Sequence, residues 1–444
     1  MIYQLRVFLK SFIKSIFLIV PILFFSACAS KKPILNEPIT KEKFEKLKVD
    51  KLLNPKDDLS LILTFSGGGT RAASLSYGVL KELKNLNLLD EVDVISSVSG
   101  GSFTSAYYGL YGDEIFEDFE DKFLKKPIQT TLIDTFLNPF NWFYLSFSGR
   151  SDYVADYYEE EIFGKKTFKD LRKDSPKIII NATDISTGNP FAFSPENFRR
   201  ICSDWEVYPI GRAVTASSAI PILFSPITLK NYKGCSDFKV EDKKDIELSY
   251  NDEQSLGIRK YYDKENYEYL HLVDGGIADN LGIRSLLYIV TEHDNNFLKV
   301  LEEFGIPNSK RVALIVVNAA DTLNPKIAKE ELPPDISTTM GAVSTIQLTR
   351  YNSDTLDLMK YNFNIWKKQV DKVRCKDKED CNSIEFYLIE LNFKQLPKKE
   401  AKKFLLTQTS LELSPKRVDE IILAGQKLLK ESKEFQKLLK DLGR

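Results

Sequence analysis

Histidine is scarce in this chain, with His271 and His293 as its two copies among 444 residues. The usual imidazole partner of a catalytic serine, or a metal centre built on histidines, therefore has few residues to draw on. His271 lies three residues before Asp274 in one predicted strand, so the two side chains should face opposite sides of the sheet. We expect no catalytic histidine, no metal site and no cofactor.

An excess of positive charge is also missing, because 62 Lys and Arg residues face 63 Asp and Glu residues and the net charge is −1. Nucleic-acid binding needs a basic patch, so no nucleic-acid partner is expected. The triple glycine at Gly67–Gly69 belongs to neither a GxGxxG nor a GK[ST] motif, since Ala72 stands where the last glycine would be. A nucleotide-binding turn is therefore excluded there.

Apolar runs long enough to cross a membrane are not found near the start of the chain. The run SIFLIVPILFFSA at 15–27 has 13 residues and contains a proline, whereas a span needs about 20 apolar residues. Basic residues precede the run and small residues end it, which predicts a signal peptide over 1–27, with an uncleaved anchor helix as the alternative. Residues 28–58 are rich in lysine and contain several prolines, as is typical of a tether.

Cysteines number five, and setting Cys28 aside as a modification site leaves an even four. An exported chain enters an oxidising compartment, where such cysteines pair. We predict the disulfides Cys202–Cys235 and Cys375–Cys381, the second of which brackets the charged turn KDKED. Free buried thiols are the alternative, above all for the first pair.

Short apolar runs without alternation recur along residues 59–444, separated by longer helical patterns. Such strands are buried on both faces, which predicts a three-layer α/β fold with a central, mostly parallel sheet flanked by helices. An insertion is expected around 112–170, and the Ser414–Pro415 pair predicts the start of a C-terminal helix. The predicted strands are 61–65, 92–95, 178–181, 271–273 and 312–318.

The stretch VISSVSGGS at 94–102 places four serines and two glycines behind a strand pattern. In a nucleophile elbow the serine lies at a sharp strand-to-helix turn, with small residues two positions before and after it. Ser97 and Gly101 occupy those positions, so Ser99 is the candidate nucleophile and Gly100 follows it. A purely structural serine and glycine turn is the alternative.

Two more glycine-rich stretches each follow a predicted strand. In FSGGGTRA the glycines can present backbone N–H groups to an anion at a helix N-terminus. In HLVDGGIADN an aspartate can turn out of the sheet, with a turn-capping role as the alternative. The residues concerned are Gly67, Gly68, Gly69, Asp274, Gly275 and Gly276.

Taken in this order, the three motifs resemble the patatin-like phospholipase family, in particular its bacterial lipoprotein-type members. NATDISTGNPFAF, AVTASSAIPILFSPI and the terminal SPKRVDEIILAGQKLLK are similar to that family as well. The resemblance implies a patatin-like fold and a serine–aspartate dyad, with Ser99 as nucleophile and Asp274 as proton acceptor. It also implies an oxyanion hole built from the three glycines, and it matches Arg71 to the basic residue that follows them. Ser97 and Ala72 depart from the common pattern.

The prediction is a membrane-anchored serine acyl hydrolase of the phospholipase or lysophospholipase type, acting on membrane phospholipid. An inactive lipoprotein of the same fold that binds lipid or envelope components is the alternative, and a peptidase or thioesterase is a third. The aromatic-rich segment 136–148 either caps an acyl-binding site or packs on a core of its own. FSAC resembles a lipobox, which predicts lipidation of Cys28, and Ala29 favours the outer over the inner membrane of a bacterial envelope.

Overall fold

The computed structural model describes residues 33–46, 58–141, 149–221, 223–235, 257, 259–322, 327–329, 331–376 and 383–444. The predicted signal peptide, Cys28, about half of the tether, residues 142–148 of the aromatic segment and Cys381 lie outside these ranges. Within them, no helix has the length and apolar character needed to cross a membrane.

Strands of the described residues form one eight-stranded sheet with the order β5-β6-β3-β2-β1-β7-β8, and β4 pairs with β3 off this path. Neighbours from β3 to β8 along this order run parallel, whereas β4, β5 and β6 pair antiparallel. All five predicted strands are present, each slightly longer than predicted. The strands are β1 Leu59–Phe65, β2 Val92–Val98, β3 Lys177–Asp184, β4 Asn189–Phe193, β5 Ile227–Lys230, β6 Tyr269–Asp274, β7 Arg311–Asn318 and β8 Glu385–Asn392.

Burial along the strands explains the sequence pattern. The central strands β1 and β7 are buried at nearly every position, while the outer strands β5 and β8 alternate between buried and partly exposed positions. Continuous apolar runs therefore mark the strands with helices on both faces.

Helices cover both faces of the sheet. The α-helices are α1 Lys41–Lys46, α2 Gly69–Asn85, α3 Gly100–Tyr111, α4 Ile115–Phe119, α5 Ile128–Leu137, α6 Arg150–Glu161, α7 Pro195–Arg200, α8 Ile210–Ser217, α9 Gly276–Asp279, α10 Arg284–Glu292, α11 Phe297–Glu303, α12 Ile336–Arg374, α13 Lys398–Leu405, α14 Pro415–Glu431 and α15 Lys433–Asp441. Short 3₁₀ helices span Leu89–Glu91, Gly112–Glu114, Pro139–Asn141, Phe168–Asp170, Ile327–Lys329 and Phe393–Gln395, and one π-helical turn spans Glu120–Leu124.

Two hydrophobic cores lie on opposite faces of the sheet, as the alternating residues of β7 show. Ala313, Ile315 and Val317 pack in one core with residues of α2, α3 and α14. Val312, Leu314 and Val316 pack in the other with residues of α10, α11 and α12. The predicted three-layer α/β architecture is confirmed.

The C-terminal helix α14 begins as predicted. Pro415 is its first residue, and the Ser414 hydroxyl accepts a hydrogen bond from the Arg417 N–H at 3.4 Å. A proline at the first helical position costs no backbone hydrogen bond, because the N–H that it lacks would have no helical partner. The apolar face of α14 is buried in the core shared with α2.

One of the two predicted disulfides falls within the described residues. Cys202 and Cys235 are bonded to each other and both are buried. The pairing of Cys375 with Cys381 stays a prediction, because Cys381 lies outside the described residues.

Candidate active site

Ser99 forms a sharp turn between the end of β2 at Val98 and the start of α3 at Gly100. Its backbone has φ 49° and ψ −119°, a conformation that residues with a side chain rarely adopt. The Ser99 N–H donates to the Ser217 hydroxyl at 2.8 Å, and this hydrogen bond stabilises the strained turn. The side chain is thereby placed at the tip of the turn.

Gly100 allows the turn to pack against the loop formed by Gly67, Gly68 and Gly69, which is called the glycine loop. A β-carbon at this position would lie 2.0 Å from the carbonyl oxygen of Gly69, so no side chain fits there. Gly101 is the second residue of α3. The close approach of the two loops follows directly from the absence of a side chain at Gly100.

Ser97, which stands where the common elbow pattern has glycine, is fully buried and accommodated by hydrogen bonds. Its hydroxyl lies 2.6 Å from that of Ser105 and donates to the Ile179 carbonyl at 3.2 Å. A buried hydroxyl is tolerated when it is paired. The turn therefore closes around Ser97 without an unsatisfied polar group.

Asp274 reaches Ser99 because of the register on β3. Val98 pairs with Asn181, and Asp274 pairs with the next residue, Ala182. The ends of β2 and β6 thus meet at adjacent positions of one strand. The Ser99 Oγ donates to the Asp274 Oδ2 at 2.8 Å.

Three hydrogen bonds fix the Asp274 residue itself. Its N–H donates to the Ala219 carbonyl at 2.9 Å, and its carbonyl accepts from the Thr183 hydroxyl at 2.9 Å. The Gly276 N–H donates to the Asp274 Oδ1 at 2.8 Å, which leaves the Oδ2 to face the serine. Gly275 adds a bond from its own N–H to the Ser217 carbonyl at 3.0 Å.

Burial raises the pKa of Asp274 to about 6, although hydrogen bonds from the Gly276 N–H and the Ser99 hydroxyl act in the opposite direction. Desolvation disfavours the charged form of a carboxyl group more than two hydrogen bonds stabilise it here. A carboxylate with a pKa close to neutral pH is a better proton acceptor than a free aspartate. The pair can therefore pass a proton from Ser99 to Asp274.

The glycine loop offers two of its three N–H groups. The Gly67 N–H donates to the Asn280 carbonyl at 3.0 Å and is not available to a substrate. The N–H groups of Gly68 and Gly69 have no acceptor among the described residues, and neither has that of Gly100. This differs from the prediction that all three loop glycines donate to an oxyanion, because Gly67 is engaged in anchoring the loop to α9.

Ser217 and Asn280 are two residues of the site that were not singled out from the sequence. The Ser217 hydroxyl accepts from the Ser99 N–H and donates to the Asn181 carbonyl at 2.6 Å. The Asn280 carbonyl anchors Gly67. Both lie within stretches quoted above, AVTASSAIPILFSPI and HLVDGGIADN, but a hydrogen bond across the fold leaves no spacing signal in either.

Other candidate groups lie elsewhere. The His271 Nδ1 is 3.1 Å from the Thr228 hydroxyl, and His293 bonds to the Ile289 carbonyl and to Glu303.

The other serines of the turn do not contact Asp274. The Ser96 hydroxyl donates to the Gly282 carbonyl, and the Ser102 hydroxyl lies 3.0 Å from that of Ser217. The described ranges also contain no cluster of three or more His, Cys, Asp or Glu residues able to hold a metal.

The sequence of this chain matches a known protein family. Residues 63–287 match the model of the patatin-like phospholipase family, and this range includes the glycine loop, Ser99 and Asp274. Human cytosolic phospholipase A2 delta is 32% identical over 109 residues, which are 24% of this chain and 13% of that protein.

Solved structures with similar folds have low sequence identity to this chain. Human GIVD cytosolic phospholipase A2 is 11% identical with a TM-score of 0.47, over 89% of this chain and 63% of that one. VipD from Legionella pneumophila is 11% identical with a TM-score of 0.27, over 90% and 71% of the two chains. These similarities to single proteins are too distant or too partial to assign an activity.

Proposed function

This chain belongs to the patatin-like phospholipase family, and from that membership we propose that it is a serine acyl hydrolase that cleaves ester bonds of phospholipids or lysophospholipids. The observation that carries the proposal is the 2.8 Å hydrogen bond from the Ser99 Oγ to the Asp274 Oδ2. The free N–H groups of Gly68 and Gly69 support it, since the same loop approaches Ser99 closely: a β-carbon on Gly67 would lie 3.4 Å from that of Ser99.

In the first half of the reaction, the Ser99 Oγ attacks the ester carbonyl carbon while its proton passes to Asp274. The negative charge that develops on the carbonyl oxygen is stabilised by the glycine N–H groups. The carbon–oxygen bond of the ester then breaks, and Asp274 returns the proton to the leaving alcohol oxygen. The lysolipid or glycerophosphodiester product departs, and the acyl group stays on Ser99.

In the second half, a water molecule attacks the acyl carbonyl and gives a proton to Asp274. The bond between the acyl carbon and the Ser99 Oγ breaks, and the serine oxygen takes the proton back from Asp274. A fatty acid is released and the enzyme is restored. One side chain acts as base and then as acid in each half, as a pKa near neutral pH permits.

The pH dependence of hydrolysis should report the Asp274 carboxyl group. Its pKa of about 6 means that the group is protonated below that pH and is then unable to accept the serine proton. We expect kcat/KM to fall tenfold per pH unit on the acid side of about 6 and to level off above it. An acid limb that persists unchanged in Asp274→Asn would show that Asp274 is not the proton acceptor.

Release of fatty acid from phosphatidylcholine vesicles tests the proposal as a whole. We expect the purified chain to release fatty acid together with lysolipid or its deacylated glycerophosphodiester, and not to cleave peptide substrates. Thioester cleavage that is faster than ester cleavage would favour a thioesterase instead. Binding to the same vesicles without any ester cleavage would favour the inactive lipid-binding alternative.

We further propose that the mature protein is a lipoprotein of a bacterial envelope, acylated on Cys28 and held in the outer membrane. The sequence SIFLIVPILFFSAC supports this proposal through its short apolar run and the small residues before the cysteine. A lipid anchor would keep the enzyme at the surface that holds its substrate. Intact mass of the protein from membranes should show a chain that begins at an acylated Cys28, and a mass that retains residues 1–27 would contradict the proposal.

A further inference from the structure

A segment outside the residues matched by the family model lies directly on the glycine loop. This segment, Thr407–Glu412, connects α13 to α14 and is called the strap below. Its Ser410 carbonyl accepts the Thr70 N–H at 2.8 Å. A β-carbon on Gly69 would lie 2.2 Å from the same oxygen, so the strap and the loop are in contact.

Arg71 joins the strap to the end of β7. Its side chain is 1% exposed, and its Nε donates to the Ala319 carbonyl at 2.9 Å. The guanidinium also donates to the Thr407 carbonyl and to the Thr409 hydroxyl, the latter at 3.3 Å. A guanidinium presents several donors in one rigid plane, so it can hold these segments in a fixed arrangement that a lysine could not reproduce.

The strap is held from its other side by the start of α5. The Gln129 Oε1 accepts the Ser410 hydroxyl at 2.8 Å and the Leu411 N–H at 3.1 Å. The Glu412 Oε2 accepts the Thr130 N–H at 2.9 Å. The strap therefore lies between the glycine loop and α5, with hydrogen bonds to both.

From these contacts we infer that the strap, acting through Arg71, is a positioning element that fixes the Gly68 and Gly69 N–H groups for the transition state. The inference rests on the proposed hydrolase function, and it assigns to the C-terminal part of the chain a share in catalysis. Arg71 is placed as a positioning residue, because its donors are engaged within the protein by Ala319, Thr407 and Thr409 and by an ion pair with Asp321 at 3.4 Å. Oxyanion stabilisation depends on donors that are held in place before the reaction.

Substitutions that break the contact between Arg71 and the Thr409 hydroxyl should lower kcat and leave KM nearly unchanged. Thr409→Val removes one of the acceptors of Arg71, a hydroxyl at an exposed position, and we expect kcat to fall about tenfold. Thr409→Ser restores the hydroxyl and should recover most of the wild-type rate. Arg71→Lys keeps the charge but loses the planar fork, and kcat should fall about a hundredfold. Gln408→Ala, an exposed neighbour in the same strap, is the matched control and should behave as wild type.

Three readouts separate the outcomes. The acid limb of the pH profile should stay near pH 6 in Thr409→Val, because the strap does not contact Asp274. Wild-type kcat in both Thr409→Val and Arg71→Lys, a raised KM with unchanged kcat, or no recovery in Thr409→Ser would each overturn the inference. The rate of fluorophosphonate labelling of Ser99 gives the same comparison without any lipid. The strap is therefore tested even if the chain proves not to cleave phospholipids.

Discussion

Replacing Ser99 with alanine is expected to lower ester hydrolysis by at least about 10⁴-fold. The hydroxyl that donates to Asp274 is the group that forms the acyl-enzyme, and no other hydroxyl of the turn contacts this carboxylate. Alanine keeps the small side chain at φ 49°, so the turn should be preserved. Fatty acid release from phosphatidylcholine vesicles and circular dichroism measure the two effects.

Ser102→Ala is the matched control for this substitution. Ser102 lies in the same glycine-rich turn, but its hydroxyl contacts Ser217 and not Asp274. It should retain turnover within about tenfold of wild type, since it loses one hydrogen bond between neutral groups. Full activity in Ser99→Ala, or loss of activity in Ser102→Ala alone, would move the nucleophile to another residue.

Asp274→Asn is expected to lower kcat by about 10²- to 10⁴-fold while keeping the shape of the site. The amide oxygen can keep the hydrogen bond from the Gly276 N–H, and the amide NH2 that then faces the Ser99 Oγ cannot take up its proton. The acid limb of the pH profile near 6 should disappear in the remaining activity, because the group that produces it is gone.

Asp274→Asn is expected to raise the thermal stability of the protein at neutral pH, although it lowers kcat. The pKa of Asp274 is raised in the folded state, so folding favours the protonated form and the folded state loses stability as the pH rises from about 4 through about 6. The difference between the Asp274 pKa of about 6 and the ordinary pKa of an aspartate corresponds to about 3 kcal/mol of folding stability lost at neutral pH. Asp274→Asn should therefore have a higher Tm than wild type at pH 8 and lose this advantage near pH 4.

Asp279→Asn is the matched control for the effects on kcat and on the acid limb. Burial raises the pKa of Asp279 to about 6 as well, but its carboxylate accepts the N–H groups of Leu281 and Arg284 instead of contacting Ser99. It should keep the acid limb of the wild-type profile and a kcat within about tenfold of wild type. If the limb disappears in Asp279→Asn and persists in Asp274→Asn, the proton acceptor has been assigned to the wrong aspartate.

Local patterns predicted the sheet well. Unbroken apolar runs identified the strands at the centre, because β1 and β7 are buried on both faces, and the Ser414–Pro415 pair identified the start of α14. The antiparallel pairing of β6 with β3 was not predicted. It matters for the site, because this direction places Asp274, the last residue of β6, opposite Ala182 of β3. Pairing direction depends on which strands meet across the fold, and hydrophobic periodicity does not contain that information.

The residues of the site also fall into two groups, those that the sequence identified and those that it did not. Ser99, Asp274 and the glycines stand in short motifs with a strand before them, so sequence alone could nominate them. The bond from the Gly67 N–H to Asn280 was not predicted, and Ser217, Asn280 and the strap were not recognised, because each depends on a hydrogen bond to a distant part of the chain. A carbonyl group acts in Asn280 and Ser410, and every residue type carries one, so the side-chain identity gives no signal.

Peptide mapping after reaction with a fluorophosphonate tests the central claim most directly, because the turn contains Ser96, Ser97, Ser99 and Ser102. The phosphonate should be found on Ser99 alone, in a one-to-one ratio with protein, and the modification should be strongly slowed in Asp274→Asn. Modification of another serine, or no adduct on a folded protein that cleaves lipid esters, would contradict the account.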